Sequence, residues 1–165
     1  MAGRANHYAT AFEAFLRSRS IPYVNVDEAK RALFSNSRLK SFDFVVHSRK
    51  GNSLLVDLNG RSHNGRGSAG GFQNWTSEKD VLDFTEWAKI FGDSFTAVVT
   101  FVYWLKSGHF KPAGAFRHHD RSYLMFGVDL AEYRRRMRRR SAKWETVSLP
   151  AEDFRTLARP LDSWL

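Results

Sequence analysis

The chain contains no cysteine. Disulfides and cysteine-ligated zinc are thereby excluded, and a reducing, cytoplasmic setting is the expectation. Long hydrophobic runs are missing too. The longest apolar stretch, FTAVVTFVYWL at 95–105, is too short to cross a bilayer as a helix and reads as a core strand. No apolar run follows a basic start, so no secretory signal is expected and no membrane is called for. Without an export route, the sequon-like Asn74-Trp75-Thr76 carries little meaning. Acidic residues are scarce: 17 Asp and Glu stand against 26 Lys and Arg, a net charge of +9.

What is present is a hydrophobic fraction of 42% and an aromatic fraction of 15%, in 165 residues. That is enough for one domain, 1–165, with a real core. The positive charge is uneven. Residues 1–76 hold eleven Lys and Arg against five acids, and residues 111–143 hold ten against three. Residues 77–110 and 144–165 are mildly acidic, at three against five and two against four. A basic domain of this kind commonly faces a polyanion, DNA or RNA above all.

Hydrophobic spacing orders the elements. HYATAFEAFLRSRS (7–20) has apolar residues at 8, 11, 12, 15 and 16, an amphipathic helix that Pro22 stops. PYVNV reads as a short strand, and 27–40 as a polar, basic connection. FDFVVHS and SLLVDLN are strands around the turn RKGN. Residues 60–76, rich in glycine, read as a long mobile loop. Ser77 opens a helix that runs to Phe91 and stops at Gly92, with Val81, Phe84, Trp87, Ala88 and Phe91 as its core stripe. A strand at 95–105, a strand RSYLMFGVD, a basic helix at about 129–140, a strand WETVSL and a last helix from Pro150 complete the order. Such a succession argues for a mixed sheet with helices packed on it.

Two aspartates interrupt runs that otherwise read as buried strand, Asp43 in FDFVV and Asp57 in LLVDL. A buried, unpaired carboxylate is costly, so the placement needs a cause. A three-residue turn, Arg49-Lys50-Gly51 with Gly51 in the left-handed position, pairs Ser48 with Asn52. Asp43 then lies opposite Asp57. Asp43, Asp57 and Asn59 share one face, while Phe42, Phe44 and Val46 share the other with Leu54, Val56 and Leu58. A two- or four-residue turn would shift the register by one and separate the acids. Like charges that face each other across a hairpin repel. Either one carboxyl is protonated or a cation lies between them, and hard divalent ions take oxygen ligands. The plainer alternative has one aspartate capping a turn and the other paired with an arginine.

An acid, a turn and a second acid-x pair, within a helix–strand–hairpin–helix–strand order, resembles the PD-(D/E)XK nuclease superfamily. The start HYATAFE (7–13), continuing into PYVNVDEAKR and SFDFVV…LLVD, is similar to the bacterial family named for its HYExAFE motif. These resemblances imply an α/β, restriction-endonuclease-like fold, a central mixed sheet flanked by helices. They imply that Glu13, Asp43, Asp57 and the backbone carbonyl of Leu58 hold Mg²⁺ or Mn²⁺. The implied reaction is metal-dependent hydrolysis of phosphodiester bonds in nucleic acid, DNA ahead of RNA, and a homodimer is left open. Two positions depart from the pattern. Ala9 stands where the family name has an acid, and Asn59 stands where the superfamily has its lysine. Asparagine can orient a water but carries no charge and cannot act as a base. Arg61 is the nearest replacement cation, as an electrostatic clamp, with Lys79 behind it. The alternative to a nuclease is therefore a catalytically degenerate nucleic-acid-binding module on the same fold.

Other signals are weaker. His7 opens the first helix near the line of Glu13, and Gln73 precedes the second helix, where it could position water or phosphate; a structural role weighs at least as much for each. Gly65-x-Gly67-x-x-Gly70 matches the dinucleotide fingerprint in letters but opens no helix. His118-His119-Asp120 reads as a solvated turn. RRRMRRR at 134–140 is basic nearly all round if helical, and Arg134, Arg135, Arg138 and Arg139 are its candidate phosphate contacts. A basic scaffold for an acidic protein is the third reading.

Overall fold

The computed structural model describes residues 6–26, 39–65 and 71–165. The basic connection at 27–38 and the glycine-rich centre at 66–70 lie outside the described residues. Helix α1 spans His7–Ser18, and the Asn6 side chain caps it by accepting the Tyr8 N–H at 3.0 Å. Its apolar stripe buries Ala11, Phe12, Phe15 and Leu16. Strand β1 is Tyr23–Asn25, β2 Phe44–Val46 and β3 Ser53–His63. Strand β4 is Thr76–Ser77, followed by helix α2 at Glu78–Phe91 and strand β5 at Phe95–Leu105. Strands β6 (Phe116–His118) and β7 (Arg121–Asp129) form a hairpin that leads into α3, Leu130–Arg136. Strands β8 (Arg138–Ser141) and β9 (Thr146–Ser148), helix α4 (Ala151–Leu157), strand β10 (Arg159–Pro160) and a 3₁₀ turn at Leu161–Trp164 finish the chain.

Among the described residues the main sheet runs β1-β2-β3-β5-β7-β10, with β6 also paired to β7. Only β3 and β5 are parallel, in register from Ser53↔Phe95 to His63↔Leu105; the other pairs are antiparallel. A smaller sheet, β4-β9-β8, lies beside it. The expected restriction-endonuclease-like plan, a mixed sheet with helices on it, is what the chain forms. Strand β5 is β-branched and aromatic through its centre, and Val98, Phe101 and Val102 are fully buried, as a strand covered on both faces requires. One face meets α1: Phe12, Phe44, Val56, Val98, Val102 and Tyr123 cluster there. The other meets α2 and α3, where Leu55, Val99, Phe101, Phe84, Trp87 and Tyr133 cluster.

The second helix fits its sequence signals: Ser77 caps it through the Asp80 N–H at 3.0 Å, and Gly92 ends it at φ 85°. Three expectations need correction. Residues 60–63 are not loop, because β3 continues through His63 against its parallel partner. The basic helix stops at Arg136, and Arg138–Ser141 is strand, pairing Arg138 with Ser148 and Arg139 with Val147. A longer helix would stack like charges at i, i+3 and i+4; the strand alternates them instead, and the β9 edge supplies its ladder. Finally, Phe42 is not on the α1 face with Phe44. It packs against Phe84, Trp87 and Phe91, because the ladder breaks at Asp43.

Candidate active site

The β2–β3 hairpin has the expected register: Phe44↔Val56, Val45↔Leu55 and Val46↔Leu54. Its turn is held differently from expectation. Gly51 is nearly extended at φ 159°, and the Ser48 hydroxyl organises the turn, accepting the Lys50 N–H at 3.1 Å and donating to the Trp164 carbonyl at 2.7 Å. Beyond Phe44 the ladder kinks. The Asp43 N–H donates at 2.9 Å to the carbonyl of Val56, the residue already opposite Phe44, so two residues face one as in a β-bulge. Val26 donates to the Asp43 carbonyl at 2.9 Å. The bulge re-aims the side chain, and the Asp43 carboxylate accepts the Leu58 N–H at 2.6 Å.

Asp57 sits on β3 beside Val99 and is 8% exposed, on the α2 face. The two carboxyls are close enough to act on each other's ionisation. Burial first, and then the charge of Asp43, pushes Asp57 up to about 8, against the pull of Lys40. Burial also raises Asp43, partly offset by the Leu58 N–H and Lys40. The pair therefore titrates as a unit that keeps a proton at neutral pH. The donors suit a hard divalent cation: two carboxylates and a main-chain carbonyl, all oxygen. Within a strand the N–H and C=O of one residue point to the same neighbour. The Leu58 carbonyl thus projects toward the edge where Asp43 lies. Positive charge beside such a pair lowers the cost of ionising it.

Lys40 supplies part of that charge, and sequence reasoning missed it. Its Nζ donates to Asp80 Oδ2 at 2.7 Å, its N–H to Asp83 Oδ2 at 3.0 Å, and its carbonyl accepts Trp87 Nε1–H at 2.9 Å. Burial pulls its pKa down, but the Asp80 hydrogen bond and the charges of Asp80, Asp57 and Asp43 outweigh that and leave it raised. It stays protonated, bound to Asp80 and within the field of both carboxylates. Asp80, on the first turn of α2, acts on the same pair. The signal that could have found Lys40 is its place three residues before Asp43, in RLKSFDF.

The remaining candidates divide. Asn59 shares the face of Asp57, but its Nδ2 makes only long contacts, 3.4 Å to Asp57 Oδ2 and 3.5 Å to the Thr100 carbonyl. Arg61 has other partners: its guanidinium donates to the Gly60 and Trp75 carbonyls and lies 3.9 Å over the Trp75 ring. Lys79 is committed to Asp83. Glu13 rides on α1, across the sheet from Asp57, and among the described residues no three Asp, Glu or His side chains gather as a metal group. His7 is also on the α1 side, its Nδ1 3.0 Å from the Tyr123 hydroxyl. Gln73 is structural in two ways: its carbonyl accepts the Tyr103 hydroxyl at 2.8 Å, and its Oε1 accepts Trp75 Nε1–H at 3.4 Å. Arg134 and Arg135 line an open cavity of about 820 Å³ with Lys89 and Asp93, at the far end of α2. Arg139 reaches Glu78 at 3.3 Å, at the near end, and Arg138 is exposed beside it.

No protein-family model matches the chain, and no curated protein matches it significantly in sequence. The likeness of HYATAFE to the HYExAFE motif stands on those residues alone. Among solved structures the chain is similar to Archaeoglobus fulgidus Hjc, described as a Holliday junction resolvase from an archaeal hyperthermophile. The TM-score is 0.57 at 11% identity, over 96% of this chain and 98% of that one. At such identity the likeness is one of fold, a restriction-endonuclease-like mixed sheet flanked by helices.

Proposed function

We propose that the chain, over its 165 residues, is a metal-dependent nuclease that hydrolyses phosphodiester bonds in DNA. The observation that carries this reading is the Asp43–Asp57 pair, Asp57 buried and Asp43 half-buried, in the field of the Lys40 ammonium. Asp43, Asp57 and the Leu58 carbonyl would hold Mg²⁺ or Mn²⁺, which when bound lowers the pKa of a coordinated water and offsets charge on the scissile phosphate. Lys40 is held protonated, so its part is electrostatic: it stabilises charge that develops on the phosphate rather than taking a proton. Asn59 hydrogen-bonds beside Asp57 and orients. Arg134, Arg135, Arg138 and Arg139 contact the phosphate backbone along α2. DNA is favoured over RNA because the structural neighbour is described as a Holliday junction resolvase.

The degenerate-module reading rests on Asn59 alone, and Lys40 weakens it by restoring a cation to the site. Incubation of the purified protein with linear, nicked and branched DNA, with Mg²⁺ or Mn²⁺ and then with chelator, separates the two. Metal-dependent cleavage that Asp57→Ala abolishes supports the nuclease. Salt-sensitive binding without turnover supports the module. A homodimer is tested by sedimentation of the free protein.

A further inference from the structure

The C-terminal end of β5 carries cations that the nuclease reading leaves without a role. Residues 104–123 contain Lys106, Lys111, Arg117 and Arg121 against one acid, Asp120. Two open cavities, of about 390 and 290 Å³, share Asp120 and Arg121 in their walls. Lys106, Lys111 and Arg117 line the first; His7, His118 and Tyr123 line the second. Lys106 Nζ lies 4.8 Å and the Arg121 guanidinium 4.4 Å from the Trp104 ring centre. An indole that holds two cationic heads reduces the side-chain entropy lost when an anion docks. The His118 Nε2 is buried without a hydrogen-bond partner, a polar atom left over at the wall of the second cavity.

The contrast with the arginine run is informative. Arg135, Arg136 and Arg139 are each ion-paired, to Glu132 at 2.9 Å, Asp153 at 3.6 Å and Glu78 at 3.3 Å. Among the described residues, Lys106, Lys111, Arg117 and Arg121 are in no ion pair. The segment that is richest in arginine is thus partly neutralised by its own neighbours, while the quieter one presents its charge outward. A membrane surface fits poorly, because the large exposed apolar residues, Val24, Leu82, Ile90 and Trp144, all lie outside this segment.

We infer that the joined cavities around Arg121 form a nucleic-acid backbone contact, separate from the carboxylate pair. Trp104 alternates with Tyr103 and so belongs to the α1 face, opposite Asp57. A bound strand would contact the protein around the C-terminal edge of β5, where Arg61 and Arg140 also stack on Trp75 at 3.9 and 5.0 Å. The inference rests on the reading of the chain as a protein that acts on nucleic acid.

The test is fluorescence anisotropy with a labelled DNA duplex of about 30 base pairs in EDTA, as a function of salt. Lys111→Glu/Arg117→Glu changes two exposed side chains, and circular dichroism checks its fold. Binding at low salt should weaken at least about tenfold, and the slope of log K against log salt should become shallower by about 0.9 for each phosphate that is no longer neutralised. Arg134→Glu/Arg138→Glu serves as the comparison. If the wild type binds and Lys111→Glu/Arg117→Glu matches it in affinity and slope, this surface is overturned while the nuclease reading stands. If the variant loses only association with phosphatidylserine vesicles, the surface serves a membrane and the inference is equally overturned. A wild type that binds no duplex in EDTA, and with Mg²⁺ or Mn²⁺ cleaves none of the linear, nicked or branched DNAs, removes both.

Discussion

The Leu58 N–H donates to the Asp43 carboxylate at 2.6 Å, across a break in the ladder. The Asp43 main chain is pinned on both sides, its N–H to Val56 and its carbonyl to Val26. Its carboxylate is therefore fixed against β3, next to Asp57, before any ligand arrives. A pair set this firmly cannot relax by moving apart, and burial first, then the neighbouring charge, leaves Asp57 with a retained proton.

That proton has a thermodynamic signature. Asp57 is pushed up to about 8 from an ordinary 3.8, so between those values the folded protein binds more protons than the unfolded chain. Stability of the metal-free protein then falls as pH rises from about 4 to 8 and levels off above. The raised Asp43 acts in the same direction. The contribution of Asp57 is on the order of a few kcal/mol. Asp57→Asn, which cannot ionise, should flatten this profile and raise the Tm at pH 8 in EDTA, while it abolishes cleavage. Melts of both proteins from pH 5 to pH 8 check this; parallel profiles would mean that Asp57 ionises in the fold without penalty.

Divalent metal should replace the proton. At about pH 7.5, Mg²⁺ or Mn²⁺ at about a hundred times its Kd adds about 2.7 kcal/mol to stability. The gain should shrink toward pH 5, where protons compete for the same oxygens, and EDTA should reverse it. Asp57→Asn should lose most of it. A Tm that is blind to metal at every pH would argue against the pair as a metal site.

The hairpin was legible because period-two alternation and the length of the RKGN turn together fix the register Phe44↔Val56, which brings Asp43 up to β3. What local pattern could not show is the bulge, since it depends on which backbone groups Val26 and Val56 offer from other strands. Lys40 was hidden for a similar reason. It lies in a polar stretch with no periodicity, and only the docking of α2 brings Asp80 and Asp83 to it. For Glu13, a helix motif states which residues share a stripe, but not which face of the sheet that helix covers. The arginine run deceived by composition: helix and strand are equally basic, and the choice was made by β9, a tertiary partner.

Lys40 should matter more than Asn59. Lys40→Ala removes the protonated group beside the pair, and a loss of about a hundredfold to a thousandfold in kcat is expected. Asn59→Lys places an ammonium on the Asp57 face. It should recover part of the lost rate in the Lys40→Ala background and add little to the wild type. Single-turnover cleavage at saturating metal reads this directly. If Lys40→Ala cleaves like the wild type, the cation at this site does not come from the approach to β2, and Asn59 regains its significance.

Gly60 ties the start of the chain to the site. A Cβ built there would lie 2.7 Å from Tyr8 Cε2 and closer still to Cδ2, against the ring of the second motif residue in HYATAFE. Tyr8 is on α1, and α1 also buries Phe12 against Phe44 at 4.9 Å between ring centres, so the ring cannot retreat without moving the helix. Gly60→Ala should destabilise the fold by about 1–3 kcal/mol through overpacking. Tyr8→Ala leaves room for the methyl group. The double variant should therefore be more stable than the sum of the two single losses, with a coupling of at least about 0.5 kcal/mol in denaturant titrations. Strict additivity would mean that the ring and the glycine do not touch in solution. Gly60 lies between Asn59 and Arg61, so cleavage by Gly60→Ala should fall with stability and return with Tyr8→Ala.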